Sequence, residues 1–123
     1  MLKVNFFHVC ENALIEQGTG NLSIIGIFEN INAQNFPAMH PSMSIVVGLE
    51  NKNPGIYDVE FEFLDEKGTI LKIPAKVNIG ANGRGNFLNK IVGYQIPREL
   101  TQKIKLNYEG ETIYTGYITV NNK

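Results

Sequence analysis

Three features of the 123-residue sequence predict an all-β protein: an antiparallel β-sandwich of about eight strands, beginning with an N-terminal hairpin. Apolar side chains recur at every second position through most of the chain, the period of strands with one buried face. Gly, Asn, Asp and Pro interrupt that pattern at turn-like intervals, about every 8–12 residues. No segment carries a helical period. A sheet with one apolar face must bury it against a second layer, and a small closed barrel is the alternative that meets the same need.

The stretch from Pro54 to Leu71 states the pattern most clearly. Tyr57, Val59, Phe61 and Phe63 alternate with Asp58, Glu60 and Glu62. Asp65-Glu66-Lys67-Gly68 then reverses the chain, with Gly68 free to take positive φ in a short bulged hairpin. The return strand sets Leu71, Ile73, Ala75, Val77 and Ile79 against Lys72, Lys76 and Asn78. Pro74 places that strand at a sheet edge or a crossing between sheets, and its lysines face Glu60 and Glu62.

Before this hairpin, Lys3–Cys10 puts Val4, Phe6, His8 and Cys10 on one face and Asn5, Phe7 and Val9 on the other. Both faces are partly apolar, which predicts a strand covered on both sides. Ala13–Ile15 continues it, Gln17–Asn21 turns, and Leu22–Phe28 returns as a β-branched strand in which Gly26 marks a bulge or a close approach. Glu29–Ser42 is expected to be the longest irregular connection, because Pro37 and Pro41 exclude a regular central strand. Met43, Ile45, Val47 and Leu49 then form a strand, and Asn51–Gly55 turns into the central hairpin.

After it, Gly80–Gly85 reads as a flexible loop. The next strand, Asn86–Ile96, carries Leu88, Val92, Tyr94 and Ile96 on one face. Pro97–Thr101 reads as a single turn, helical if anything. Ile104, Leu106 and Tyr108 alternate with Lys103, Lys105 and Asn107, Glu109-Gly110 makes a tight hairpin, and Thr112–Val120 forms the last strand. Asn121–Lys123 is expected to fray. From Leu22 onward the strand rhythm resembles an immunoglobulin-like or fibronectin-III-like sandwich, with the acidic hairpin as its third and fourth strands. The Cys pair around a Trp is missing.

Composition narrows function. Lys and Arg total 11 against 12 Asp and Glu, for a net charge of −1, so no basic excess exists to track a phosphate backbone and general nucleic-acid binding is disfavoured. No apolar run approaches the ~20 residues of a membrane helix. The first residues lack the apolar core of a signal peptide, and the one cysteine, Cys10, cannot form an intrachain disulfide; both point to the cytoplasm.

Several groupings raise chemistry. His8, Cys10 and His40 would supply three ligands to a metal, or a thiol and a base to a small hydrolase. The close ligand pairs of zinc sites are missing, however, and Glu11 raises rather than lowers the Cys10 pKa. The plainer reading makes Cys10 a small buried hydrophobe and His8 a hydrogen-bonded strand residue. Gly80–Gly85 precedes a β-patterned segment rather than a helix, so it is no phosphate cradle, although Arg84 at its tip is a contact candidate. Asp58, Glu60, Glu62, Asp65 and Glu66 read as a solvated face rather than a calcium site. Tyr117 lies in the outward register and suits a partner contact.

The segments Phe6–Ala13, Gly20–Ile31 and Phe36–Ala38 together resemble a small, uncharacterised bacterial family, catalogued as a domain of unknown function. Its members share a "CE-A" element, then "G-L-S-I-x-G-I-F-x-x-I", then "F-P". The resemblance runs roughly through Glu50 and implies no activity, cofactor or catalytic residue. It singles out Glu29–Pro41 as distinctive.

The expectation is a non-enzymatic binding or assembly module without cofactor, whose partner is another copy or another protein. Its contact surface is Phe28, Phe36, Met39 and His40 beside the N-terminal hairpin, with Arg84 and Tyr117. A carbohydrate- or lipid-binding sandwich is a further alternative, and the absence of Trp weighs against sugar.

Overall fold

Period-two alternation becomes nine strands in the computed structural model, which describes residues 2–122. They are β1 (Lys3–Ile15), β2 (Leu22–Ile27), β3 (Asn30–Ala33), β4 (Ala38–Glu50), β5 (Gly55–Asp65), β6 (Gly68–Ile79), β7 (Arg84–Ile96), β8 (Leu100–Tyr108) and β9 (Glu111–Asn122). Their ladders divide into a four-stranded sheet, ordered β2-β1-β4-β7, and a five-stranded sheet, ordered β3-β9-β8-β5-β6.

One core joins the two sheets. Met43, Ile45 and Val47 of β4 face Phe61 and Phe63 of β5 and Ile104 and Leu106 of β8, all fully buried. Burying each such side chain contributes roughly 1.5–3 kcal/mol over leaving it in water. A second cluster, Ile96, Leu100 and Val120, fills one end with Phe36 and Tyr94 against it. The four-stranded sheet is apolar on its outer face as well. Cys10 and Val46 are fully buried there beneath Phe6 and Leu88, as the mixed faces of Lys3–Cys10 predict. The Phe6 ring lies flat against Gly48, where an added Cβ would stand 2.2 Å from the ring.

The central hairpin forms as read except that Pro74, not a lysine, stands opposite Glu60, and Lys76 opposite Asp58. Asp65 pairs with Gly68, Gly68 has φ of 123°, and a register shift follows Phe63. β6 is a sheet edge, so Pro74 removes no ladder bond. Lys72 stands opposite Glu62, and Lys76 reaches Asp58 at 2.7 Å, an exposed pair worth about 0–1 kcal/mol.

Several readings need correction. Glu29–Ser42 is not one irregular connection. Asn30–Ala33 pairs parallel to Thr119–Asn122, and β4 already begins at Ala38, leaving only Gln34–Pro37 unpaired, with a cis Phe36–Pro37 peptide. Pro41 is tolerated inside β4 because the β1 ladder ends at Cys10–Ser44, so among the described residues β7 alone pairs with β4 at that level. The same parallel pairing holds Asn121 and Asn122, and the Asn122 N–H donates to Glu99 Oε2 at 2.8 Å, so these two do not fray; Lys123 lies outside the described residues.

β7 does not keep Leu88, Val92, Tyr94 and Ile96 on one face. Phe87 and Ile91 face the core, Leu88 joins the outer cluster, and Val92 is 74% exposed. Gly93, at φ of 69°, then turns Tyr94 and Ile96 inward. In β1 a register shift between Val4 and Phe6 moves Val4 to the core side with Phe7 and Val9. Finally, Pro97–Thr101 is not helical: it bends, and β8 starts at Leu100. Arg98 from this corner reaches Asp65 at 3.0 Å and Glu66 at 2.7 Å, tying it to the acidic turn.

Gly85 belongs to β7 rather than to a loop. A Cβ there would stand 2.2 Å from the Asn78 carbonyl, so glycine serves close approach of β6 and β7 and not flexibility.

Gln102 is a polar side chain in the core. Its Nε2 donates to the Leu64 carbonyl at 2.6 Å, and its Oε1 accepts from the Tyr94 hydroxyl. Burial, with the Asp65 charge adding to it, pushes the Tyr94 phenol up to about 12. A folded pKa above the unfolded value means that this stabilisation is complete below about pH 10 and is lost as pH rises toward 12. Tyr94→Phe is therefore expected to lose about 1–3 kcal/mol at neutral pH, by orphaning Gln102 Oε1, and to lose less than the parent between pH ~10 and ~12. Urea midpoints across that range check it; identical alkaline slopes would contradict it.

Candidate functional site

A strand pairs on two flanks, and ladder geometry identifies which backbone groups remain free. The chain crosses between sheets at Phe28-Glu29. The Phe28 N–H donates to the Val9 carbonyl at 3.0 Å, and the Thr119 N–H donates to the Glu29 carbonyl at 2.9 Å. Thr119 thus directs its backbone groups away from β8. Alternation along the regular Thr115–Thr119 register gives Tyr117 and Thr115 the same direction. β3 covers β9 only from Thr119 to Asn122, so among the described residues no strand pairs with the outer flank at Thr115 and Tyr117. On the facing sheet β2 pairs with β1 only from Cys10 onward, so among the described residues no strand pairs with the flank of Lys3–Val9 away from β4 either.

These two open flanks border one seam. Its middle is bridged by Phe7 and Tyr114, stacked with centroids 4.9 Å apart, and Phe7 also covers Gly116. Between that bridge and the Phe28-Glu29 crossing lies a cavity of about 370 Å³, lined by Val9, Phe28, Glu29, Tyr114 and Tyr117. Beyond the bridge a second recess of about 790 Å³ opens between Leu2, Val4, Tyr108 and Ile113, rimmed by Lys3, Glu109 and Glu111. Tyr117 is 57% exposed beside the first cavity, an amphipathic ring at the free edge.

The structure separates the surface expected from sequence. Phe28 and Tyr117 line the same cavity, and His40 touches Phe28 edge-on at 5.3 Å. Phe36 packs into the end cluster instead, and Met39 is exposed beside Gly93. Arg84 sits with Asn5 and Phe6 in a different recess. Phe7, Val9, Tyr114 and Thr115 were not singled out by sequence. The seam joins strands far apart in the chain, and only the outward register of Tyr117 hinted at it.

His8, Cys10 and His40 do not assemble a reactive centre. His8 stacks on Phe6, and His40 Nε2 lies 3.7 Å from Glu11 Oε2 with no hydrogen-bond partner among the described residues. The Cys10 Sγ points to the Ser44 carbonyl at 3.6 Å. Burial pushes its thiol up, a backbone bond from Asn12 offsets part of this, and the Glu11 charge adds to it. Among the described residues no three His, Cys, Asp or Glu converge to hold a metal ion. The acidic hairpin is partnered: Asp58 by Lys76, Asp65 and Glu66 by Arg98, and Glu62 by Thr69 and Asn107, whose hydrogen bonds hold its carboxyl below the usual range. Among the described residues no helix is long and apolar enough to cross a membrane.

A buried thiol of raised pKa is inert. Native protein is expected to react with iodoacetamide far more slowly than urea-unfolded protein; equal rates would contradict this placement of Cys10.

No curated protein matches the chain. Among solved structures it is similar to part of the alkylpurine DNA glycosylase AlkC of Pseudomonas fluorescens, with a TM-score of 0.59 and 11% identity over 98% of this chain and 30% of that one. It is likewise similar to part of a β-glucosidase from Listeria innocua, with a TM-score of 0.57 and 10% identity over 98% of this chain and 16% of that one. The chain spans less than a third of either protein, and at such identity the likeness is one of fold alone. A profile of a family of unknown function, DUF6941, matches residues 5–121. With nearly its whole length inside that match, the chain belongs to the DUF6941 family.

Proposed function

We propose that this chain is a non-enzymatic protein-binding module, an immunoglobulin-like sandwich that captures an extended segment of a partner along the open edge of β9. The immunoglobulin-like reading rests on strand order. β1-β4-β7 in one sheet, and β9-β8-β5-β6 in the other, follow the order of strands A, B, E and G, F, C, C′, with β1 as the first strand and not the Leu22 strand from which the sequence rhythm is read. A lone buried cysteine suits the cytoplasm, where we place the module.

The observation that carries the binding reading is the free flank at Thr115 and Tyr117 beside the 370 Å³ cavity. Unpaired N–H and C=O groups in a row complement one ligand shape well, another extended backbone. Alternate side chains of the added strand would then point into the cavity, against Phe28 and Tyr114, while Tyr117 supplies an aromatic anchor. A hydrolase reading has no comparable support, because its thiol is buried and its histidines contact other groups.

Proline at Thr115 tests this cleanly. Its missing N–H would belong to the free flank, so the β8 ladder survives while strand addition is blocked. Displayed random peptides selected on the parent protein are expected to bind Thr115→Pro and Tyr117→Ala at least about tenfold more weakly, roughly 1.4 kcal/mol. The urea midpoint of Thr115→Pro should stay close to the parent's. Selected peptides that bind Thr115→Pro as well as the parent would contradict strand addition at this edge.

A further inference from the structure

We infer that the segment captured along β9 is a protein N-terminus, which enters antiparallel to β9 with its free amine at Glu29 and its second side chain in the 370 Å³ cavity. This rests on the strand-addition reading above and adds direction and end chemistry to it. The seam is closed at one end. Beyond the Phe28-Glu29 crossing, β3 fills the β9 flank at Thr119–Asn122, and β2 fills the β1 flank from Cys10. The crossing itself is tied to both sheets, through the Val9 carbonyl and the Thr119 N–H. A strand paired with Thr115 and Tyr117 meets this backbone at its next residue, so it must end there or bend away from the sheet. At the other end it passes the Phe7–Tyr114 bridge toward the open recess beside Leu2 and Tyr108, where a longer chain can leave.

β9 runs toward the closed end, so the direction of the added strand decides which terminus arrives there. A parallel strand brings its carboxylate and an antiparallel strand its amine. Charge selects the amine. Glu29 is exposed in the cavity wall, and among the described residues no cation pairs with its carboxylate. No Lys or Arg lines the cavity, and none occurs in the chain between Lys3 and Lys52. Lys103, opposite Tyr117 on β8, has β9 between it and the added strand. His8 is the remaining titratable group on the β1 side, and its ring stacks on Phe6. A carboxylate at this end would face Glu29 with like charge, whereas an ammonium finds an acceptor for a charge-assisted hydrogen bond. Antiparallel pairing is also the more stable of the two per residue.

Register follows from the same geometry. In antiparallel addition the residue opposite Tyr117 exchanges both backbone bonds with it, and its nitrogen donates to the Tyr117 carbonyl on the side of the crossing. The crossing leaves no place ahead of that residue, so it is the first of the segment, and its other amine protons lie beside Glu29. The second residue stands opposite Gly116, which faces Phe7 and contributes no side chain. Its own side chain therefore turns inward, among Val9, Phe28 and Tyr114, and an apolar one is selected. The third residue exchanges its backbone bonds with Thr115. Every free group of Thr115 and Tyr117 is then used.

Two random-peptide libraries test it on the parent protein, one displayed with a free N-terminus and one held internally between folded domains. The free-amine library is expected to enrich peptides with an apolar second residue, and the internal library is not. An enriched peptide synthesised with its amine free is expected to bind at least about tenfold more tightly than the same peptide N-acetylated. Glu29→Gln should remove most of that preference and leave the urea midpoint unchanged, because Glu29 holds Thr119 through its backbone carbonyl. Acetylated and free peptides that bind equally, both weakened by Thr115→Pro, would overturn the N-terminal inference and leave strand addition standing. A preference for the free amine that survives Glu29→Gln would overturn it as well, and so would equal enrichment of the internal library or no enrichment of the free-amine one. Peptides indifferent to Thr115→Pro would overturn strand addition and this inference together.

Discussion

Each residue of a strand offers an N–H and a C=O to one flank only, and the next residue offers its pair to the other. An edge strand therefore leaves half its backbone groups without a protein partner. How this chain disposes of those flanks accounts for most of what is unusual in it. β4, the most buried strand, is paired with β1 and β7 through its apolar half, Ser44 to Glu50. β6 ends its sheet with Pro74 and two lysines. β3 is spent on the last four residues of β9. What remains open among the described residues is the stretch of β9 around Thr115 and Tyr117, the facing flank of β1, β2, and the outer flank of β7. Those are the places where the chain has backbone to offer a partner.

The core explains why the seam persists. The two sheets meet firmly where β4 faces β5 and β8, among side chains with no exposure. At the β1–β9 side the contact is carried instead by Phe7, resting on Gly116 and stacked on Tyr114. The Phe28-Glu29 crossing adds one backbone bond to each sheet at a single level. Aromatic rings prop the sheets apart on this side as much as they join them, and recesses lie on both sides of the Phe7–Tyr114 bridge. The open seam is thus a consequence of where the aromatics sit.

Much of this was legible in the residues. Strict alternation in Tyr57–Phe63 and in Tyr114–Val120, the Gly68 and Glu109-Gly110 turns, and the edge position of Pro74 all follow from local chemistry, whereas the register shift that sets Ile113 against the core does not. The two-faced first strand was legible in outline, though not the bulge that moves Val4 to the core side. What escaped was non-local or depended on a single backbone angle. Asn30–Ala33 is short and half polar, and it becomes a strand only because β9 pairs with it in parallel from the far end of the chain. Pro41 read as a breaker because nothing local reveals that β1 has already left that flank. Gly93 looked like one more strand residue, yet its positive φ reverses the facing of everything after it. The candidate site followed the same division: Phe28 and Tyr117 stood out as exposed aromatics, while Phe7, Tyr114 and Thr115 gained meaning only when two distant strands were set side by side.

Amide hydrogen exchange along β9 tests the central claim most directly, because the free and paired groups alternate within one strand. Gly116 and Ile118 direct their N–H groups to Ile104 and Gln102, whereas Thr115 and Tyr117 direct theirs away from β8. The account predicts strong protection at residues 116 and 118 and fast exchange at 115 and 117 in dilute protein. Uniform protection across all four would mean that the β9 flank is already covered, and the open edge on which the account rests would not exist.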